Sequence, residues 1–160
     1  MTMAQRTDRT GSTSMPRLAR WLGFAGLIPQ FVIAALVMGG PPEVGVVASG
    51  LGLSYAALIL SFIGGAWWVL AAQAGERVPP WLWLAAVLLS LVAFAAIATA
   101  SAGRSAVPGL LVLGAAPIAA LVIDRVLAER ELCPPGWLSL RAPLSLALGA
   151  LSILIASFAP

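Results

Sequence analysis

Apolar residues run along this chain in five stretches, Trp21 to Met38, Val44 to Ala72, Trp81 to Ala100, Val107 to Ile123 and Leu144 to Ala159. Short connections between them hold the charges and the helix breakers. Each stretch is about 16 to 29 residues long, and at about 1.5 Å rise per residue most of them cross a hydrocarbon core of roughly 30 Å as a helix. The pattern predicts an all-α polytopic membrane protein: residues 21–160 form one bundle of five transmembrane helices, behind a disordered basic tail over residues 1–20. Breakers mark the turns at Gly39-Gly40-Pro41-Pro42, Val78-Pro79-Pro80, Ser101-Ala102-Gly103, Pro108-Gly109 and Pro134-Pro135-Gly136. Because proline tolerates a first helical turn, Pro80 and Pro143 read as helix starts. Past Ile123, the charged run Asp124, Arg125, Glu129, Arg130 and Glu131 keeps helix-forming neighbours. The fourth helix is therefore predicted to emerge amphipathically to about Leu132, with Arg125 and Glu129 placed to pair.

Composition strengthens the membrane reading, with 61% of residues hydrophobic and 9% charged, against roughly 25% charged in a soluble domain. All nine basic residues are Arg, and eight of them fall at one end of the spans, with Arg104 alone at the other. The positive-inside rule then puts the N-terminus on the cytoplasmic side and the C-terminus opposite. All six Trp belong to the cytoplasmic half under this topology, which reads as an interfacial aromatic belt or an aromatic contact surface. The first twenty residues have the composition of a basic cytoplasmic tail or of a transit peptide, and the tail also supplies the positive-inside charge. Absent Lys with abundant Ala, Gly, Arg and Pro favours a bacterial inner membrane over a mitochondrial one. The basic balance reflects topology: no exposed basic and aromatic module is long enough to bind nucleic acid. Cys133 has no intrachain disulfide partner.

Inside the spans, Pro29 and Pro117 each delete a backbone hydrogen bond, so kinks are expected in spans 1 and 4. In span 2, Gly50, Ser54, Ala57, Ser61, Gly64, Gly65, Trp68 and Ala72 fall within an arc of roughly 100°, a small-residue face along which other helices can approach. Span 2 is accordingly the expected central helix. Tyr55 lies about 140° from Gly50 at helical spacing. Its hydroxyl is expected to bond a neighbouring backbone or, with Pro29, Ser61 and Pro117, to face a pocket.

Chemistry is scarce. Without His and with one Cys, the chain has no ordinary metal or haem ligand set and no His-activated nucleophile. No acid or base falls within the five apolar stretches, whereas pumps and proton relays carry one at depth. Asp124-Arg125 and Glu76-Arg77 are expected as interfacial ion pairs with snorkelling side chains. No cofactor is implied.

The run from Tyr55 through Ser61-Phe-Ile-Gly64-Gly65-Ala-Trp67-Trp68, with Leu22-Gly23 and Gly26-Leu27-Ile28-Pro29 before it and Asp124-Arg125 and Trp137-Leu-Ser-Leu-Arg141 after it, resembles the domain of unknown function 3429 family over essentially the whole membrane region. The resemblance implies a small multi-helical membrane protein of bacteria and mitochondria, and brings no activity with it. Two positions depart from the family pattern: a basic residue commonly stands where this chain has Trp67, and a Trp where it has Ile123. Together these features lead to a non-enzymatic protein that packs in the lipid bilayer against other membrane-protein subunits, as an accessory or assembly component. The competing expectation is a small-molecule carrier or sensor with a pocket between spans 1, 2 and 4. A membrane enzyme using Asp124 or Arg125 comes third.

Overall fold

The computed structural model describes residues 15–160 and contains helices and turns, with no strand among the described residues. Helices α1 (Arg17–Ala25) and α2 (Ile28–Gly39) make up the first span, followed by α3 (Pro42–Ala74), α4 (Trp81–Ser101), α5 (Val107–Glu129) and α6 (Trp137–Phe158). Among the described residues, five helical segments are long and apolar enough to cross a membrane, counting α1 and α2 as one. The expected all-α bundle is present, and α3 is its central helix, packed against α2, α4, α5 and α6. The most extensive seams are α5 on α6 and α3 on α4.

Several boundaries differ from the sequence expectation for identifiable reasons. Helix α1 starts at Arg17, inside the expected disordered tail, whose residues 1–14 lie outside the described residues. The first span does not merely kink but breaks at Gly26–Leu27, so that Pro29 sits in the first turn of α2, where no N–H is needed. At Pro117 the opposite holds, and α5 continues through it. Pro143 is not a helix start: α6 begins six residues earlier, at Trp137, and Pro143 lies inside it. Local propensity is overridden there because Trp137 and Arg141, one turn apart on the same face, are both held by a side chain of α5.

The emergent end of α5 is shorter than expected, closing at Glu129. Leu132 N–H bonds the Leu127 carbonyl and Glu131 N–H bonds that of Ala128, with Glu131 left-handed at φ 55°. This is a Schellman termination, completed by burial of Leu132 beside Leu127. Pro134 to Trp137 then form a type II turn, with Gly136 at φ 80°, ψ 4° and the Trp137 N–H bonded to the Pro134 carbonyl. The two tight devices return the chain directly over the end of α5.

Close packing depends on glycine at two seams. A Cβ on Gly64 would intrude on the Ala86 carbonyl oxygen of α4, and one on Gly149 would stand 2.6 Å from the Gly114 carbonyl oxygen of α5. Of the small-residue face, Ala57 and Gly64 are buried, Ser54 and Ser61 are half-buried, and Trp68 is 48% exposed. Gly50 and Gly65 have nothing within 4 Å of where a Cβ would stand. The buried face instead follows Leu53, Ala56, Leu60, Ile63, Trp67 and Ala71, roughly 90° round the helix from the small-residue stripe. Directional and close-packing contacts set the rotation of the helix: the Trp67 indole bonds Asp124 of α5, and Gly64 seats on the α4 backbone.

Candidate functional site

Asp124 occupies the penultimate turn of α5, adjacent in sequence to Arg125, and the helix sends the two in different directions. Arg125 is exposed and pairs through Nε with Glu129 Oε1 at 2.9 Å, the expected four-residue pair. Asp124 turns inward and is 0% exposed. The expected Asp124–Arg125 interfacial pair is therefore corrected: the partner of Asp124 is Arg141, with Nη2 to Oδ2 at 3.1 Å. The reason is angular, since successive residues on a helix point about 100° apart and cannot share a face. Glu76 and Arg77 are both exposed in the short 3₁₀ turn after α3.

The carboxylate is fully engaged. Oδ1 accepts the indole N–H groups of Trp67 from α3 and Trp137 from α6, each at 2.9 Å, and Oδ2 accepts Arg141 Nε–H at 3.1 Å. One acid thus ties three helices together through charge-assisted bonds, the stronger kind. The Arg141 guanidinium lies 6.0 Å from the Trp137 ring centroid and its side chain is 13% exposed. Its Nη2 stands near Oδ2 but off the hydrogen-bonding direction, leaving N–H groups without an acceptor among the described residues. Trp67 and Trp137 are accordingly ligands of a buried charge rather than members of an aromatic belt, whereas Trp21 and Trp81 are exposed as a belt requires.

Beside this cluster lies a cavity of about 460 Å³ between α1, α3 and α6. Leu22 and Gly23 of α1, Phe62 and Ala66 of α3, and Leu144 and Leu148 of α6 are among its walls. Its polar lining comes from α6: Trp137, Arg141 and Ser145, one turn apart on one helix face. Ser145 is 1% exposed, yet its hydroxyl has no partner among the described residues. The other buried serines differ, Ser49 bonding the Val46 carbonyl and Ser152 that of Leu148.

The expected pocket residues lie elsewhere. Pro29, Tyr55, Ser61 and Pro117 do not line this cavity, which opens between spans 1, 2 and 5 rather than spans 1, 2 and 4. Tyr55 Oη donates to the Gly26 carbonyl at the break in span 1, the backbone role foreseen for it. Ser54 bonds the Gly50 carbonyl of its own helix. A second polar contact at depth involves Gln30, fully buried, whose Nε2 donates to Ser152 Oγ at 3.1 Å. Neither Gln30 nor Ser145 stood out in sequence. The usable signal was the Trp137–Arg141 spacing, because buried indole and guanidinium donors require an acid, and Asp124 is the acid that borders an apolar span at the same end as Trp137 and Arg141.

Fold and cluster define a small polytopic helical membrane protein with a charge pair sealed among its helices. The chain belongs to the protein family of unknown function DUF3429, whose sequence model matches residues 15–158. No curated protein and no solved structure matches it. Asp124, Trp137 and Arg141 of the segments that carry the resemblance meet in the buried cluster, joined by Trp67, which stands where the family commonly has a basic residue.

Proposed function

We propose that the protein is a non-enzymatic carrier or sensor that holds a membrane-soluble small molecule in the cavity between α1, α3 and α6. The observation that carries this reading is an apolar cavity with Arg141 and Ser145 in one wall, two side chains whose buried Nη2 and Oγ have no hydrogen-bond partner among the described residues. The volume is within the roughly 300–1,000 Å³ of small-molecule sites, which combine apolar walls with a few orienting polar groups. The rim residues Leu22 and Phe62 are strongly exposed on an apolar surface, which suits entry from the bilayer. Helix α1, which buries no residue of its own, forms the outer wall. Asp124 accepts three hydrogen bonds from the cluster, an arrangement suited to holding geometry rather than shuttling protons. On this reading the cluster end, where most of the Arg residues lie, faces inward by the positive-inside rule.

The test is organic extraction of protein purified in native-lipid nanodiscs, followed by mass spectrometry of the extract. A small molecule in stoichiometric amount that is lost from Ala66→Trp, a variant filling the cavity, is the expected result. Its equal retention by that variant, or an extract identical to that of empty discs, overturns the reading.

A second reading, an accessory component packed against another membrane subunit, draws on the open surface of α3 at Gly50 and at Gly65, the latter one turn from the exposed Trp68. Trp68 meets Trp83 edge-on at 4.7 Å between ring centroids. A stoichiometric protein that co-purifies in mild detergent and is lost on Gly65→Leu would favour it. Recovery of the chain alone would remove it.

A further inference from the structure

The cavity's polar wall constrains the chemistry of what it takes, on the reading that a ligand occupies it. Arg141 offers only donors. Among the described residues the Ser145 hydroxyl is the one buried serine not spent on its own helix, so it too has a hydrogen to give. The ligand atom facing them must be an acceptor. Its charge is constrained as well, because the Arg141 charge is already balanced by Asp124 at 3.1 Å. An anion placed on Arg141 would bring a second negative charge beside a carboxylate in low dielectric, and a cation would face the guanidinium itself. A neutral oxygen satisfies both donors at neither cost.

From this we infer that the site between α1, α3 and α6 binds an uncharged, lipid-soluble molecule through a carbonyl oxygen, as a quinone ring presents, with Arg141 Nη2 and Ser145 Oγ as its donors and its apolar body among Leu22, Phe62, Ala66 and Leu148. Arg141 and Ser145 lie in the first three turns of α6, so the carbonyl sits near the end of the bundle that carries the cluster. The tail leaves towards the bilayer past Phe62, which is 74% exposed. Trp137, its N–H committed to Asp124, contributes its ring to the same wall.

Calorimetric titration of decylubiquinone into nanodiscs carrying the full chain, corrected by empty discs, tests the inference against decanoate, an anion with a tail of the same length. Saturable binding of the quinone at one per chain is expected, weakened by about two- to tenfold in Ser145→Ala, the worth of one hydrogen bond. It should be abolished in Ala66→Trp and in Gly23→Phe, which fill the cavity from opposite walls. Decanoate should bind no better than it does to those filled variants. Decanoate binding as tightly as the quinone, or a Ser145→Ala variant with unchanged quinone affinity, overturns the carbonyl assignment while leaving an occupied cavity standing. Absence of quinone binding to the parent protein also overturns it, and the extraction experiment then judges the cavity reading independently.

Discussion

Helices α3 and α6 each meet two kinds of neighbour, and the contrast separates what holds this bundle together from what leaves it open. On one flank α3 presses Gly64 onto the α4 backbone, and α6 presses Gly149 onto Gly114 of α5. On the other flank the cavity opens between these two helices and α1, which touches α6 where Gly23 meets Leu140 and Leu144. In a bilayer, burying apolar side chains against each other gains little over burying them in lipid, so close backbone approach and directional polar bonds supply the cohesion. The glycine seams use the first and the Asp124 cluster the second. A directional tie needs no continuous contact, which is why a void can persist beside it without loosening the fold.

The largest effect is expected from breaking the polar tie. Asp124→Ala strands Arg141 and two indole N–H groups, and should cost about 3–5 kcal/mol, the usual penalty for an uncompensated buried charge. Equilibrium unfolding in detergent measures it. Asp124→Leu with Arg141→Leu should cost clearly less than the two single changes added together; strict additivity would show that the pair is not coupled.

The glycine flank is tested by two neighbours. Gly64→Ala should lose about 1–3 kcal/mol by overpacking against the Ala86 carbonyl, whereas Gly65→Ala, pointing into open space, should change stability by less than about 0.5 kcal/mol. Equal losses in the same unfolding assay would place the seam on a different helix face.

Smaller changes sharpen the link between α5 and α6. Glu131 holds a left-handed conformation suited to glycine, so Glu131→Gly should gain about 1 kcal/mol. Cys133, in the same link, has its thiol pushed above the ordinary cysteine value, first by burial and then by the negative charge of Asp124. A raised value means less thiolate at a given pH, and alkylation by iodoacetamide should begin at higher pH than for an unfolded cysteine. Asp124→Asn removes the second cause and should shift that onset down; an unmoved profile would leave burial as the whole explanation.

Much of this architecture was legible in the chain. The five apolar runs, the Gly and Pro turns and the Arg125–Glu129 spacing each express a local rule of length or periodicity. Tyr55 bonded to a backbone carbonyl followed from a lone hydroxyl in apolar surroundings. The small-residue stripe holds at Ala57 and Gly64, which are buried, and fails at Gly50 and Gly65, which face open space, because periodicity identifies a face without saying along how much of it a neighbouring helix will run. Asp124 was visible as an acid bordering a span, but adjacency in sequence pointed to the wrong arginine.

By itself, then, the sequence determined the spans, their order and the charge asymmetry, because apolar length and helix breaking act over a few neighbouring residues. Tertiary structure decided the rotation of α3, the early start of α6 at Trp137, the pairing of Asp124 with Arg141 and the placing of the cavity. Each depends on how helices distant in sequence approach one another, and the gain comes from contacts that exist only once they have met.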